Sequence, residues 1–254
     1  MEIHFGHHYG RMSDCDLAFC LVSATNVSAE EEGYALEHGW TRDEEESRGN
    51  LWWQTRSTRL KASKFKFNRK SRRMLKPAKG IEAKFRPAKE CSIKELNEVY
   101  IKYCNYKNFT IEDNYVECCL KDIDEKYVGE YRENGILIGY VVCRIHSAAS
   151  KSMTSIQFCW DYKNPRLYLG KYSLIKEIEF AKEMGFEWVY MGDGYQEICQ
   201  YKCYMPGFQF WTGREWSEDI DFYKELTSND DKVKTVQDLD KLSKYYIENE
   251  TFEK

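Results

Sequence analysis

Apolar positions in the second half of the chain fall into two clear periods. Leu174, Ile175, Ile178, Ala181 and Met184 stand at i, i+1, i+4, i+7 and i+10, the stripe of a helix with one buried face. Gly185 ends it, and residues 187–191, EWVYM, read as a short buried strand running into the turn formers Gly192, Asp193 and Gly194. A helix followed closely by a parallel strand is an α/β unit. Upstream, residues 127–145 form two β-rich runs around Asn134-Gly135, a hairpin signal. Residues 153–162 supply a third strand, and further aromatic strands follow Pro206.

The first half is less regular. Ser28 to Glu31 is a possible capping box opening a helix that runs through Glu37 and stops at Gly39. Residues 40–49 are acidic and loop-like, 51–60 read as one strand, and 68–75 as a loop entering a short basic helix. Ser92 to Glu95 is a second capping box; Ile93, Leu96, Tyr100 and Tyr103 continue it at helical spacing to about Tyr106. Residues 115–126 and 237–246 are two further helix candidates. The division this suggests is an N-terminal α+β subdomain over 1–90 and a second domain, with the mixed sheet, over 91–254.

Composition narrows the class. With 254 residues and 42% hydrophobic content there is ample material for a core. No run of about 18 apolar residues is present and the N-terminus lacks the signal-peptide pattern, so a cytoplasmic protein without a membrane partner is expected. Ten cysteines without a Cys-x-x-Cys then read as reduced thiols. His4, His7, His8, Cys15 and Cys20 are the nearest approach to a metal cluster, but their spacing is irregular, and no metal or cofactor is expected.

Charge changes the picture most. The net charge of −4 hides a segment, residues 56–89, that holds fourteen Lys or Arg against one acid, while the remainder carries −17. A basic strip interleaved with Phe65, Phe67 and Phe85 suits a phosphate backbone better than a solvated face of mixed sign. Arg56, Arg59, Arg69, Lys70, Arg72 and Arg73 are the candidate nucleic-acid contacts.

The element order suggests a mixed sheet flanked by helices of the GNAT acetyltransferase type, in which two adjacent parallel strands splay apart and admit substrate. An acyl-CoA member would show Arg/Gln-x-x-Gly-x-Gly/Ala at the helix entry. Here that entry reads Arg166-Leu-Tyr-Leu-Gly170-Lys-Tyr172, one residue longer and with a single glycine.

Two blocks of residues resemble a family that uses a GNAT-like fold with a different donor. The first is His38-Gly-Trp-Thr-Arg42 with Gln54-Thr-Arg-Ser-Thr-Arg59 and Phe67-Asn-Arg-Lys-Ser-Arg-Arg-Met-Leu75; the second is Leu169-Gly-Lys-Tyr172, Glu177-Ile-Glu179, Ala181 and Tyr190-Met-Gly192. Their order and spacing resemble the arginyl-tRNA–protein transferases and their bacterial leucyl-transferring relatives. The resemblance implies transfer of arginine or leucine from charged tRNA, as co-substrate, to the free amine of a protein or peptide. The family's eukaryotic members carry a Cys-Cys pair near the place where Arg56-Ser-Thr-Arg59 stands here. An acetyl-CoA-dependent N-acetyltransferase and a non-catalytic RNA-binding module are the competing readings.

Aminolysis of the ester needs a group for the acceptor amine, donors for the oxyanion and a proton for the leaving ribose. Asp193, at the end of the strand, is the first candidate for the amine. Tyr172 and Tyr195 are candidates near the ester, Glu177 for an incoming cation and Lys202 for phosphate; Gly170, at a helix entry whose free N–H groups could face a phosphate or the oxyanion, and Gly192 are further candidates for binding substrate. The alternatives are a turn former at Asp193, core tyrosines, a tight turn at Gly170 and a solvated helix acid at Glu177.

Overall fold

The computed structural model describes residues 1–6, 21–43, 50–120, 123–146, 150–230 and 232–233. The candidate helix at 237–246 and the residues His7, His8, Cys15 and Cys20 lie outside the described residues.

Near the N-terminus, strands β1 (Glu2–Gly6), β2 (Leu21–Thr25), β3 (Trp40–Arg42) and β4 (Trp52–Gln54) form an antiparallel sheet in the order β1-β2-β4-β3. Helix α1 (Ala29–Glu37) opens on the expected box, with the Ser28 amide donating to Glu31 Oε2 at 3.0 Å. Two expectations change here. The segment read as a loop from residue 40 begins with β3, and its residues 44–49 lie outside the described residues. The single strand expected over 51–60 is two strands in two sheets, β4 and β5 (Ser57–Lys61). At the break, Thr55 and Arg56 turn their side chains to Asp193 and Asp230.

The second sheet has eight strands in the order β12 (Trp216–Ser217), β11 (Phe208–Trp211), β5, β10 (Trp188–Asp193), β9 (Ser152–Trp160), β8 (Ile136–His146), β7 (Lys126–Glu133) and β6 (Ile81–Pro87). Among the described residues its one parallel pair is β9 with β10; the other neighbours are antiparallel. This is the mixed, helix-flanked sheet the element order suggested. Asn134 (φ 51°) and Gly135 (φ 80°) make the tight turn between β7 and β8 with both residues in the left-handed region, as a two-residue hairpin of this twist requires. Edge strand β6 was hidden inside the basic strip: Ile81, Ala83 and Phe85 turn inward while Glu82 and Lys84 face solvent. The helix expected over 115–126 is only α4 (Tyr115–Cys119). Lys126 already belongs to β7, and its buried ammonium donates to the Cys119 carbonyl at 2.7 Å, closing the helix end.

Helices cover both faces. On one, α5 (Leu169–Glu183) sets Ile175, Ile178 and Ala181 against Leu60, Val141, Met153 and Val189. Each fully buried isoleucine there contributes about 1.5–3 kcal/mol of transfer free energy. On the other face, α3 (Ile93–Lys107), capped by Ser92, packs Leu96, Val99 and Tyr100 on Val128, Tyr140 and Val142. Tyr190 of β10 packs with Trp40 and Trp52 of the small sheet. The small sheet and the α3–α4 layer therefore stand beside each other, with the parallel pair between them.

Candidate active site

Strands β9 and β10 pair only through Trp188 with Ser152, Val189 with Met153 and Tyr190 with Thr154. Past that point both strands bulge. Between β8 and β9 the register passes from Cys143 opposite Ser155 to Val142 opposite Gln157, leaving Ile156 as the extra residue. Between β5 and β10 it passes from Arg59 opposite Tyr190 to Ser57 opposite Asp193, leaving one extra residue at Met191–Gly192. Two bulges facing each other spread the strands into a fork. A cleft of about 920 Å³ opens there. Its walls are Thr154 to Gln157 of β9, Met191 to Asp193 of β10, Thr41 to Asp43 and Trp53 of the small sheet, and Glu112, Asp113, Tyr115 and the two following cysteines around α4. A crevice beyond the carboxyl ends of parallel strands is where open α/β sheets receive ligands.

Asp193 lies on the β10 prong. Gly192 (φ 68°) takes the left-handed conformation the bulge needs, and its carbonyl accepts from Thr58 Oγ1 at 2.8 Å. A Cβ at Gly194 would meet Thr58 Cγ2 at 2.5 Å and the Tyr223 hydroxyl at 2.9 Å, so only glycine fits behind it. The Asp193 carboxyl accepts from Thr55 Oγ1 at 2.5 Å. Burial raises its pKa above the ordinary carboxylate value, against the opposing pull of Thr55 and of the Lys202 charge. The cleft is rich in acid: Asp43, Glu112, Asp113 and Asp193 face Arg42, which reaches Glu32 at 3.5 Å. Such a cavity favours a cationic group such as an amine.

Several residues singled out from sequence sit elsewhere. Lys202 is buried and spends its ammonium on the carbonyls of Met191 (2.8 Å) and Asp193 (2.6 Å); it fixes the prong and does not reach outward for phosphate. The Tyr172 hydroxyl donates to the Ile81 carbonyl at 2.8 Å, tying α5 to β6. The Tyr195 hydroxyl accepts the Arg56 amide at 3.0 Å, and the Arg56 guanidinium lies 4.8 Å from its ring. Both tyrosines are core residues outside the cleft lining. Gly170 has no backbone requirement, since a Cβ there would make only an ordinary 3.5 Å contact with Phe158.

Glu177 is the opposite of a solvated acid. It is 3% exposed on the inner face of α5, its Oε1 accepting from Ser173 (2.6 Å), which in turn is bonded to the Tyr131 hydroxyl (2.7 Å). Among the described residues its Oε2 has no hydrogen-bond partner. Burial raises its pKa, only partly offset by Ser173 and by Ser155 of the fork. A raised folded pKa stabilises below the ordinary carboxylate value of about 4.3 and loses that stabilisation as pH rises through the folded value. Glu177→Gln is therefore expected to unfold at higher temperature than the parent, by a margin larger at pH 8 than at pH 5. A lower melting temperature at pH 8, by calorimetry, would show that the charge itself is needed.

The basic strip divides in the fold. Arg56 is buried and pairs with Asp230 at 2.5 Å, and Arg59 lies between the rings of Trp188 (3.7 Å) and Trp216 (3.9 Å), so neither can meet a phosphate. Arg69, Arg72 and Arg73 on helix α2 (Arg69–Leu75) are exposed, as are Lys76, Lys79 and Lys84 beyond it; the side chain of Lys70 lies outside the described residues. A 3-10 turn at Lys76–Ala78 packs on another at Pro165–Leu167, extending this surface to exposed Arg166 and Lys171 at the start of α5. Sequence reasoning missed Thr154, His146 and Glu32, which meet at the fork from three elements.

Residues 94–205, which include both prongs, match the family model described as Arginine-tRNA-protein transferase, C terminus. Through this region the chain is similar to the aminoacyl-tRNA–protein transferases. The chain is 24% identical over 197 residues to an aspartate/glutamate leucyltransferase of Leptospira interrogans serogroup Icterohaemorrhagiae serovar copenhageni (strain Fiocruz L1-130), covering 72% of this chain and 71% of the relative. The counterpart in serovar Lai (strain 56601) gives the same values. Among solved structures, L-PGS from Bacillus licheniformis superposes with a TM-score of 0.44 at 12% identity, covering 64% of this chain and 49% of that chain. Among the described residues no helix is long and apolar enough to cross a membrane.

Proposed function

We propose that this transferase moves leucine or arginine from charged tRNA to the free α-amine of a protein or peptide, at the fork between β9 and β10. The observation that carries the reading is the cleft itself: a family-matched pair of prongs, opened by opposed bulges, with an acid-lined wall and a buried-edge aspartate at its end. The ester bond of aminoacyl-tRNA is already activated. Near neutral pH an α-amine, with a pKa of about 8, is neutral in appreciable fraction, so holding it against the ester supplies much of the rate. Asp193 would accept a hydrogen bond from that amine and orient its lone pair at the carbonyl carbon. The exposed cations from Arg69 to Lys84, with Arg166 and Lys171, would take the phosphates of the tRNA on the α5 side.

The deciding experiment offers labelled Leu-tRNA, Arg-tRNA or acetyl-CoA with peptides beginning with aspartate, glutamate, alanine or lysine. Label should pass to peptide from a charged tRNA. Transfer from acetyl-CoA alone would establish the acetyltransferase reading, and tRNA binding without transfer would leave an RNA-binding module. For the phosphate surface, reversing Arg69, Arg72 and Arg73 together to Glu should weaken tRNA binding and lower the salt slope by about one for each phosphate no longer neutralised, with the melting temperature unchanged. Unchanged affinity in a filter-binding titration would remove α2 from the interface.

A further inference from the structure

His146, the last residue of β8, is 3% exposed and joins two other elements at the fork. Its Nδ1 lies 3.2 Å from Glu32 Oε2 on α1, and its Nε2 lies 2.9 Å from Thr154 Oγ1 on β9. Burial would raise the Glu32 pKa, but the hydrogen bond to His146 and the nearby charges of Arg42 and Arg144 outweigh it, and the carboxyl is held below its usual value. An ionised carboxylate only accepts. Nδ1 therefore carries the hydrogen toward Glu32, and when the ring is neutral its Nε2 lone pair receives the Thr154 hydroxyl. Thr154 itself is half-buried, is the last β9 residue paired with β10, and lines the cleft beside Gly192. Hydroxyl, imidazole and orienting carboxylate in series, with the hydroxyl at the mouth of a cavity, is the arrangement that activates or relays protons in acyl transfer.

We propose that Thr154 relays the proton of the transfer step, with His146 as its base and Glu32 holding the ring. The proposal rests on the reading of the cleft as an aminoacyl-transfer site. As the acceptor nitrogen attacks the ester carbonyl carbon, the new C–N bond forms. The nitrogen gives a proton to Thr154 Oγ1 while the threonine's own proton passes to His146 Nε2. When the tetrahedral intermediate collapses, the C–O bond to the ribose breaks and the leaving oxygen takes a proton back along the same path. Products are the peptide bond, the free ribose hydroxyl and the enzyme in its starting state. Thr154 touches the reacting atoms; His146 and Glu32 act through it as positioning residues.

The test compares the parent chain with Thr154→Ser, Thr154→Val and His146→Gln, using labelled Leu-tRNA and Arg-tRNA and the peptides above, and reads kcat, KM and melting temperature. Positioned acid–base groups are worth roughly 10²–10⁴-fold, so Thr154→Val and His146→Gln should lose about a hundredfold or more in kcat with KM for both substrates little changed. Thr154→Ser keeps the hydroxyl and should restore most of kcat. Parent-like kcat in Thr154→Val would overturn the relay, as would a Thr154→Ser variant no better than Thr154→Val. Label attached to the denatured enzyme would also overturn it, because Thr154 would then be carrying the acyl group. Should His146→Gln fail to fold, the Thr154 pair, isosteric with the parent or smaller, decides alone. A parent chain that transfers neither amino acid removes the reading of the cleft and the relay with it.

Discussion

Arg56→Ala is expected to lower the stability of this protein by about 3–5 kcal/mol, because it leaves the carboxylate of Asp230 buried without its cation. Asp230 is fully buried at the end of helix α6 (Ile220–Asp230), where its Oδ2 also accepts the Gln196 amide at 2.8 Å. Arg56 in turn presents its amide to the Tyr195 hydroxyl and its carbonyl to the Gly194 amide, so the pair fastens the segment after β10 between β5 and α6. Denaturant titration should show the loss in full, while tRNA affinity per folded molecule stays at the parent value. Parent-like stability with weakened tRNA binding would return Arg56 to the phosphate surface.

Asp193→Asn is expected to reduce kcat/KM about ten- to a hundredfold, mainly through a higher KM for the acceptor peptide. Losing one hydrogen bond to a charged group costs about 1.5–3 kcal/mol, which sets that range. Asparagine keeps the shape, the turn propensity and an oxygen for Thr55, so folding and tRNA affinity should be retained. The environment sharpens the contrast. Burial already disfavours the charge on Asp193, while Lys202, held by the carbonyls on either side of Gly192, supports it. A carboxylate kept there against a desolvation cost is useful for binding a cation and unnecessary for a turn. Steady-state kinetics equal to the parent would leave Asp193 a turn former.

Much of the framework was legible because its signals are local. Helix α5, strand β10 and the Asn134-Gly135 hairpin follow from periodicity and turn chemistry a few residues long. What was not legible depends on contacts between distant segments. Charge counting places Arg56 and Arg59 in a surface strip, but Arg59 lies on β5 between β10 and β11, where Trp188 covers it, and Arg56, just before β5, pairs with Asp230 of α6. The same counting hid β6, whose inward residues are only three. Tyr172 and Tyr195 lie on the segments that flank β10, yet their hydroxyls are taken by the backbone of Ile81 in β6 and of Arg56 just before β5. His146 and Glu32 are 114 residues apart, and no spacing rule connects them. The β9 bulge at Ile156 leaves no mark in a run where polar and apolar residues mix. Gly192 marked the other bulge, although it read equally well as a simple turn.

The central claim is that charged tRNA delivers its aminoacyl end to the fork between β9 and β10. Amide hydrogen exchange with a hydrolysis-resistant 3′-aminoacyl-amide analogue of the terminal adenosine tests it most directly, since it reads the bound site without requiring an acceptor. Protection should rise at residues 154–157 and 191–194 and should persist in Asp193→Asn, whose defect lies with the acceptor. Protection confined to residues 69–87, or unchanged exchange at both prongs with the analogue bound, would contradict the placement of the transfer site.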